Sequence, residues 1–320
     1  MDEWEIIDLI EKSITSNPKK NVILGDDVAT LRSEKGLCII NNDMLVAETD
    51  SPKQMTMDQT SRKAIAMCIS DFAAKGVNPK AILISLGIPK NMEKDQVKKI
   101  ISGLKDASEE FSVEIIGGDT NECSTLVIDC IITGFSERII TRDGAKKGDI
   151  IAVSGKFGYT SAGLKILSEG LERDSEFDKI AISAVLRPTP KLKFGIAMKE
   201  AKIPTSSMDS SDGLALTLHE ISLKSKVEIR IDKLPEPSGI KKFAEINGDK
   251  FEDLILYGGE EYEIVYTIPK NKFKEAQIIS KELGAELEQI GTVEKGSPSV
   301  KLFDGEKYNP IEKKGWVHLS

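Results

Sequence analysis

Histidine is nearly absent from this 320-residue chain, which carries only His219 and His318. His219 falls inside an apolar helical stretch, where a structural role suits it better than catalysis. No Ser-His-Asp or Cys-His arrangement is suggested by spacing, so acid–base chemistry run by imidazole is set aside. Cysteine is scarce as well. Cys38, Cys68, Cys123 and Cys130 form no CxxC pair, and three of them sit in apolar segments, as buried thiols in a reducing compartment do. No long uninterrupted apolar stretch occurs, and Met1-Asp2-Glu3-Trp4-Glu5 is acidic where a signal peptide is basic. A cytoplasmic protein with no membrane partner is the expectation. Basic charge is in deficit, with a formal net charge of -8, which argues against a general nucleic-acid binder. The same deficit makes phosphorylated ligands unwelcome unless cations intervene. Neither GxxxxGK[ST] nor GxGxxG is present, and the one imitation of a phosphate-binding strand-to-helix turn is Gly155-Lys156-Phe157-Gly158.

What is present is a set of short acidic segments: Gly25-Asp26-Asp27, Asn41-Asn42-Asp43, Ser70-Asp71, Gly117-Gly118-Asp119 and Asp209-Ser210-Ser211-Asp212-Gly213. Most follow an apolar run that reads as strand, such as Val22-Ile23-Leu24 or Val113-Glu114-Ile115-Ile116, so they read as turns at strand ends, where an α/β sheet presents its ligand site. Independent turn and N-cap duty is the plain alternative for any one of them. Brought together, the carboxylates repel, since unit charges about 4 Å apart interact by ~4 kcal/mol at an effective dielectric near 20. Cations remove that penalty. All-oxygen ligands favour magnesium, and several magnesium ions on one protein point to phosphate chemistry. Phosphoryl transfer needs little beyond in-line geometry and charge neutralisation.

With 30% charged and 40% apolar residues, the chain is an ordinary globular one, long enough for two domains with cores of their own. The pattern predicts an amphipathic helix over 3–15 and strands at Val22–Leu24 and Leu37–Ile40. A helix over 56–75 is closed by Gly76, and its Ala64, Ala66, Ser70, Ala73 and Ala74 permit close packing. Asp71, inside that otherwise apolar helix, needs a partner. Then follow strand 81–86, helix 93–111, and strands 113–116 and 125–135. The turn-rich stretch 137–149 is the boundary, giving domains 1–137 and 138–320. The second half reads as strand 150–153, a helix from Tyr159, helices near 176–185 and 190–201 separated by Arg187-Pro188-Thr189-Pro190, and a short extended piece at 206–208. A helix starts at Asp212-Gly213, with strands at 227–231, 262–268 and 287–293 and a helix over 272–283.

Taken in order, the acidic segments, together with Arg142-Asp143-Gly144-Ala145-Lys146-Lys147-Gly148-Asp149, Arg187-Pro188-Thr189-Pro190 and Gly258-Gly259-Glu260-Glu261-Tyr262-Glu263, resemble the thiamine-monophosphate kinases of the aminoimidazole-ribonucleotide-synthetase-like superfamily. The resemblance runs from Gly25 to Trp316. It implies a mixed α/β (α+β) two-domain fold, with an N-terminal metal- and ATP-binding domain whose sheet forms a homodimer and a C-terminal α/β domain that completes the site. It implies a magnesium-dependent transfer of the ATP γ-phosphoryl group to thiamine monophosphate, giving thiamine diphosphate and ADP. Carried over residue by residue, it places several magnesium ions on Asp26, Asn42, Asp43, Asp71, Asp119, Asp209 and Asp212, with Asp43 and Asp119 the most critical. ATP falls to Gly118, Asp119, Arg142 and Ser211, and thiamine monophosphate to Asp50, Glu260 and Trp316. Two departures stand out: Asn41-Asn42-Asp43 replaces the Thr-Thr-Asp of many relatives, and Asp50 stands where they carry His. Among rivals, Gly258–Glu263 argues against a synthetase-type ligase, and no Cys precedes Cys38 as a selenophosphate synthetase requires. The chain also ends without the modifiable Cys of a hydrogenase-maturation protein. A nucleotide-binding regulator without catalysis gains little from keeping every acid.

Overall fold

A computed structural model describes residues 28–33, 36–171 and 175–317. The expected helix over 3–15, strand Val22–Leu24, Gly25-Asp26-Asp27 and His318 lie outside the described residues.

The first sheet holds β1 (Ala29–Ser33), β2 (Gly36–Val46), β3 (Pro79–Pro89), β4 (Glu114–Cys123) and β5 (Val127–Ser136) in the order β1-β2-β5-β3-β4. All neighbours run antiparallel except β3 and β4, whose parallel pairing is bridged by helix α3 (Lys94–Phe111), as a parallel crossover requires. Residues along β2 and β5 alternate between a buried and an open face, with Ile39, Leu45, Ile128, Cys130 and Ile132 packed under helices. A short helix, α1 (Ala47–Asp50), leads into α2 (Met57–Lys75). The expected boundaries of α2 hold: Thr56 and Gln59 form a capping box at its start, and Gly76 closes it in the left-handed conformation at φ 66°.

Helix α2 has almost no solvent face, and it is wedged between the first sheet and the second half of the chain. The second half supplies β6 (Asp149–Val153), α4 (Tyr159–Glu169), α5 (Glu176–Leu186), α6 (Leu192–Glu200), β7 (Ser206–Asp209) and α7 (Leu214–Ser225). It continues with β8 (Glu228–Ile231), α8 (Ile240–Asn247), α9 (Phe251–Leu256), β9 (Ile264–Pro269), α10 (Phe273–Glu282), β10 (Glu288–Glu294), β11 (Ser299–Phe303) and β12 (Tyr308–Pro310). Its seven-stranded sheet has the order β12-β11-β8-β10-β6-β9-β7, so β7 is the edge nearest α2. The pattern missed β1, α1, α8, α9, β11 and β12.

The small residues of α2 do permit close packing. An added Cβ on Gly195 of α6 would lie 1.8 Å from the Ala73 carbonyl oxygen, so the two helices cross backbone to backbone. The buried polar groups of α2 reach the second half of the chain. Ser70 Oγ donates to Asp209 Oδ2 at 2.7 Å, Lys75 Nζ to the Ser207 carbonyl at 2.9 Å, and Arg62 to the Pro188 carbonyl at 2.8 Å. Arg62 also forks onto Glu110, which Arg187 joins at 2.9 Å. Arg187-Pro188-Thr189-Pro190 is therefore a strap holding the two halves together.

Two expectations about the acidic segments change. Asn41-Asn42-Asp43 and Gly117-Gly118-Asp119 are not turns at strand ends but lie within β2 and β4, whereas Ser70-Asp71 is inside α2, as the helical pattern over 56–75 predicts. Asp209–Gly213 alone, among the described segments, follows a strand end. Glycine beside acid reads locally as a turn. In β4 the same glycine is required by a close approach, since a Cβ on Gly118 would come 1.8 Å from the Ile84 carbonyl oxygen of β3.

Candidate functional site

The site lies where α2, the far end of β2 and the edge strand β7 meet. Alternation along β2 puts Asn41, Asp43 and Leu45 on the face turned to α2, and Asn42 and Met44 on the other. Asp71, the acid expected to need a partner, has one: Asn41 donates its side-chain amide to Asp71 Oδ2. Asn41, which sequence reasoning passed over for Asn42, is thus the residue brought to Asp71, while Asn42 is exposed. The phase of buried Ile39 and Leu45 was the signal for this. Asp209 arrives from β7 and is tied to α2 through Ser70.

The charges of this group are felt by two buried neighbours. Burial pushes the Cys68 thiol well up; its hydrogen bond with Cys130 adds to this, followed by the charges of Asp43 and Asp71. Burial likewise raises the Tyr262 hydroxyl, and Glu260, Asp43, Asp209 and Asp50 raise it further. One negative field therefore spans both halves of the chain.

Asp119 stands apart. It pairs with Ser85, which pairs with Asp129, on the open face of the sheet, whereas Asp43 pairs with Cys130 on the helix face. Three inter-strand steps separate β2 from β4, about 14 Å at ~4.8 Å each. Within one chain, Gly118 and Asp119 do not join the others.

Ser211 and Asp212 are threaded against Gly258–Glu263. Glu260 N–H donates to the Ser211 carbonyl at 2.5 Å, Tyr262 N–H to Ser210 at 3.1 Å, Ser210 N–H to Glu263 at 2.9 Å, and Trp316 N–H to Asp212 at 2.9 Å. These bonds hold Glu260 and Tyr262 in left-handed conformations, at φ 66° and 53°, that side chains other than glycine seldom adopt. A cavity of about 580 Å³ opens here, within the range of small-molecule sites; Met67, Leu164, Ser211, Asp212, Glu260 and Trp316 are among its lining residues. Trp316 is 54% exposed, so its ring is an open face rather than a buried anchor. Asp50 also lines the cavity, but its carboxylate accepts from Val46 N–H at 2.7 Å and Thr49 Oγ1 at 2.9 Å, closing its own short helix. Arg142 lies in the connection from β5 to β6, beside β7: its carbonyl accepts from Ser225, and that of Thr141 from Ser207 N–H. His219 has the structural role expected, with Nε2 at 3.0 Å from the Ile311 carbonyl.

The turn Gly155–Gly158 does not wait for a phosphate. The N-terminus of α4 behind it is filled by the chain's own Glu261, whose Oε1 accepts from Gly158 N–H at 2.6 Å and Thr160 N–H at 3.2 Å. Burial nonetheless pushes Glu261 up to about 7, against the pull of those bonds. Below the ordinary value of 4.5 both folded and unfolded states hold the proton. As pH rises toward 7 the unfolded chain releases it first, so stability falls across that window. Part of the side chain faces a cavity, so solvent moderates the effect. Glu261→Gln should gain about 2 kcal/mol on the parent between pH 4.5 and pH 8 in urea unfolding. An equal gap at both pH values would contradict this.

Asp43, Asp71 and Asp209 with Asn41 form an all-oxygen donor set. Among the described residues no three His, Cys, Asp or Glu side chains converge to hold a metal ion. Magnesium takes one or two carboxylates and completes its shell with water and substrate phosphate rather than a protein cage. The residues fit the ion on the chemistry of their donors.

A helix-backed mixed sheet joined through one buried helix to a seven-stranded sheet, with acids at the seam, defines the class described as AIR synthase related protein: its N-terminal domain matches residues 25–136 and its C-terminal domain residues 146–302. Within that class the chain belongs to the thiamine-monophosphate kinase family. It is 38% identical to the thiamine-monophosphate kinase of Nitrosopumilus maritimus, over 100% of this chain and 99% of that protein. It is 32% identical to that of Pyrococcus abyssi, over 100% and 96%. A solved structure, AaThiL complexed with AMPPCP and TMP, superposes with a TM-score of 0.87 at 31% identity, covering 99% of this chain and 97% of the other. Among the described residues no helix is long and apolar enough to cross a membrane.

Proposed function

We propose that this chain transfers the γ-phosphoryl group of ATP directly to the phosphate of thiamine monophosphate, releasing thiamine diphosphate and ADP. The observation that carries the reading is the joining of an acidic cluster to an aromatic-rimmed cavity at one seam, with Asp209 and Asp212 on a single turn between them. Both substrates are anions, and an acidic seam accepts them only with cations. Asp43, Asp71, Asp209 and Asp212, with the amide oxygen of Asn41, are the residues we assign to magnesium, together with Asp26 beyond the described residues; Asn42, on the opposite face of β2, is left out. Bound there, magnesium neutralises phosphate charge and fixes the in-line geometry. Trp316 offers its face to a flat pyrimidine or cationic thiazolium, and Glu260 accepts a hydrogen bond from the acceptor. Met67 and Leu164 give that cavity an apolar wall. We assign Arg142 and Ser211 to ATP. Arg142→Lys should raise the KM for ATP at least tenfold, because one ammonium does not reproduce a bidentate fork, and an unchanged ATP dependence would remove Arg142 from the site.

We also infer a homodimer. Leu83 and Phe135, 40% and 60% exposed, share the open face of the first sheet with Asp119. An apolar sheet face of this kind is suited to a second copy. We assign Gly118 and Asp119 to a site completed across that interface. The direct test incubates the purified protein with ATP, magnesium and thiamine monophosphate and separates the products. Thiamine diphosphate with equimolar ADP is expected; ADP alone points to another acceptor.

A further inference from the structure

Lys63 is a charged residue where the fold has no water for it. It lies in the first half of α2, is 1% exposed, and follows the equally buried Arg62. An ammonium taken out of water is strongly unfavourable unless it is paired and hydrogen-bonded. Both conditions are met at the cavity. Its Nζ donates to the Asp50 carbonyl at 2.6 Å and to Glu260 Oε1 at 2.5 Å. The first acceptor ends the short helix after β2, and the second belongs to the other half of the chain, so one buried cation joins two walls of the cavity across the seam.

We propose that Lys63 is a positioning residue for the acceptor, acting through Glu260. The inference rests on the kinase reading above and names a residue that sets its acceptor affinity. Glu260 has a left-handed backbone, fixed by the bond from its N–H to Ser211, which aims the side chain toward α2. Lys63 takes Oε1 and stops the carboxylate from rotating. Oε2, with no hydrogen-bond partner among the described residues, is left for a ligand, and the side chain remains 25% exposed. Because the ammonium balances the carboxylate, Glu260 presents an acceptor atom at a set place to an N–H donor, such as the amino group of an aminopyrimidine. Without Lys63 the carboxylate swings among rotamers, and each acceptor molecule must order it again on binding. ATP, held by other residues, is indifferent to that loss. Arg62 beside it bonds Glu110 and Pro188 and touches neither wall of the cavity, so it supplies an internal contrast.

The experiment measures KM for thiamine monophosphate and for ATP separately, in the full-length protein, for the parent, Lys63→Met, Lys63→Arg, Glu260→Gln and the Lys63→Met/Glu260→Gln double variant. Thermal midpoints are recorded for each. Lys63→Met should raise the acceptor KM about thirtyfold while the ATP KM moves less than about threefold. The double variant should be no worse than the weaker single variant, since both substitutions break one unit. Lys63→Arg keeps the cation and displaces its donors, and should show the same split at about tenfold; it carries the test if Lys63→Met does not fold. Equal rises in both KM values, unchanged KM values with only a lower midpoint, or multiplicative effects in the double variant would each overturn the proposal. A parent protein that forms no thiamine diphosphate would instead overturn the kinase reading, a separate result.

Discussion

Asp43→Asn and Asp119→Asn, each purified alone, should lose about a thousandfold in turnover while keeping the fold, and co-expressed as a mixed dimer they should recover roughly a quarter of the parent activity. The loss follows from placing each carboxylate at phosphate charge that develops in the transition state. The recovery follows if the dimer completes each site across its interface. Asp43 faces α2 and Asp119 faces the open side of the sheet, three strands away, so a single chain does not unite them. If each site draws Asp43 from one chain and Asp119 from its partner, a mixed dimer holds one site with both acids intact and one with neither. About half of the dimers are mixed in a random population, and half of their sites are whole. Differently tagged copies, purified through both tags, raise the recovery toward one half. No recovery in doubly purified mixed dimers would mean that the two acids serve the same chain, and ordinary turnover in either single variant would remove that acid from the site.

The largest loss of stability is expected at Gly195→Ala. The new methyl would sit 1.8 Å from the Ala73 carbonyl oxygen and 2.7 Å from its carbonyl carbon, both backbone atoms of α2, which have no rotamer by which to retreat. Helices α2 and α6 must separate, and α2 carries Lys63, Ser70 and Lys75, the hydrogen bonds that join the halves. Overpacking of this kind costs about 3 kcal/mol, a fall in thermal midpoint of roughly 4–5 °C for a chain of this size. Turnover should fall with it, since the same shift moves Asp71 away from Asp209. By contrast, Gly170→Ala meets no atom within 4 Å and is strained only by its φ of 62°, so it should lose about 1 kcal/mol and leave turnover intact. Similar midpoints for the two variants would show that the α2–α6 crossing is not tightly packed.

How far the sequence was legible depended on whether a signal was local. Helix α2 was readable to within a residue because its closing Gly76 and the helical spacing of its small and apolar side chains agree. Asp71 was readable as a carboxylate in need of a partner. Gly117-Gly118-Asp119 was misread because its glycine is chosen by a neighbouring strand, and no local pattern distinguishes a close approach from a turn. The choice between Asn41 and Asn42 was legible in principle, since strand alternation from Ile39 to Leu45 puts Asn41 inside. The residues of the site came from their motifs rather than from periodicity, and Lys63 was missed for that reason. It belongs to no motif, and its signal is a charge in the middle of an all-buried helix. Glu261 shows the converse: the motif marks it, and the structure uses it to close a helix.

The central claim is direct, metal-dependent transfer between two anions held at one acidic seam. It is tested most directly with ATP labelled on its γ-phosphate. The account predicts that label appears in thiamine diphosphate mole for mole with ADP, that EDTA stops the transfer, and that magnesium restores it. Label released as inorganic phosphate while thiamine monophosphate stays unchanged, or transfer that continues in EDTA, would contradict it.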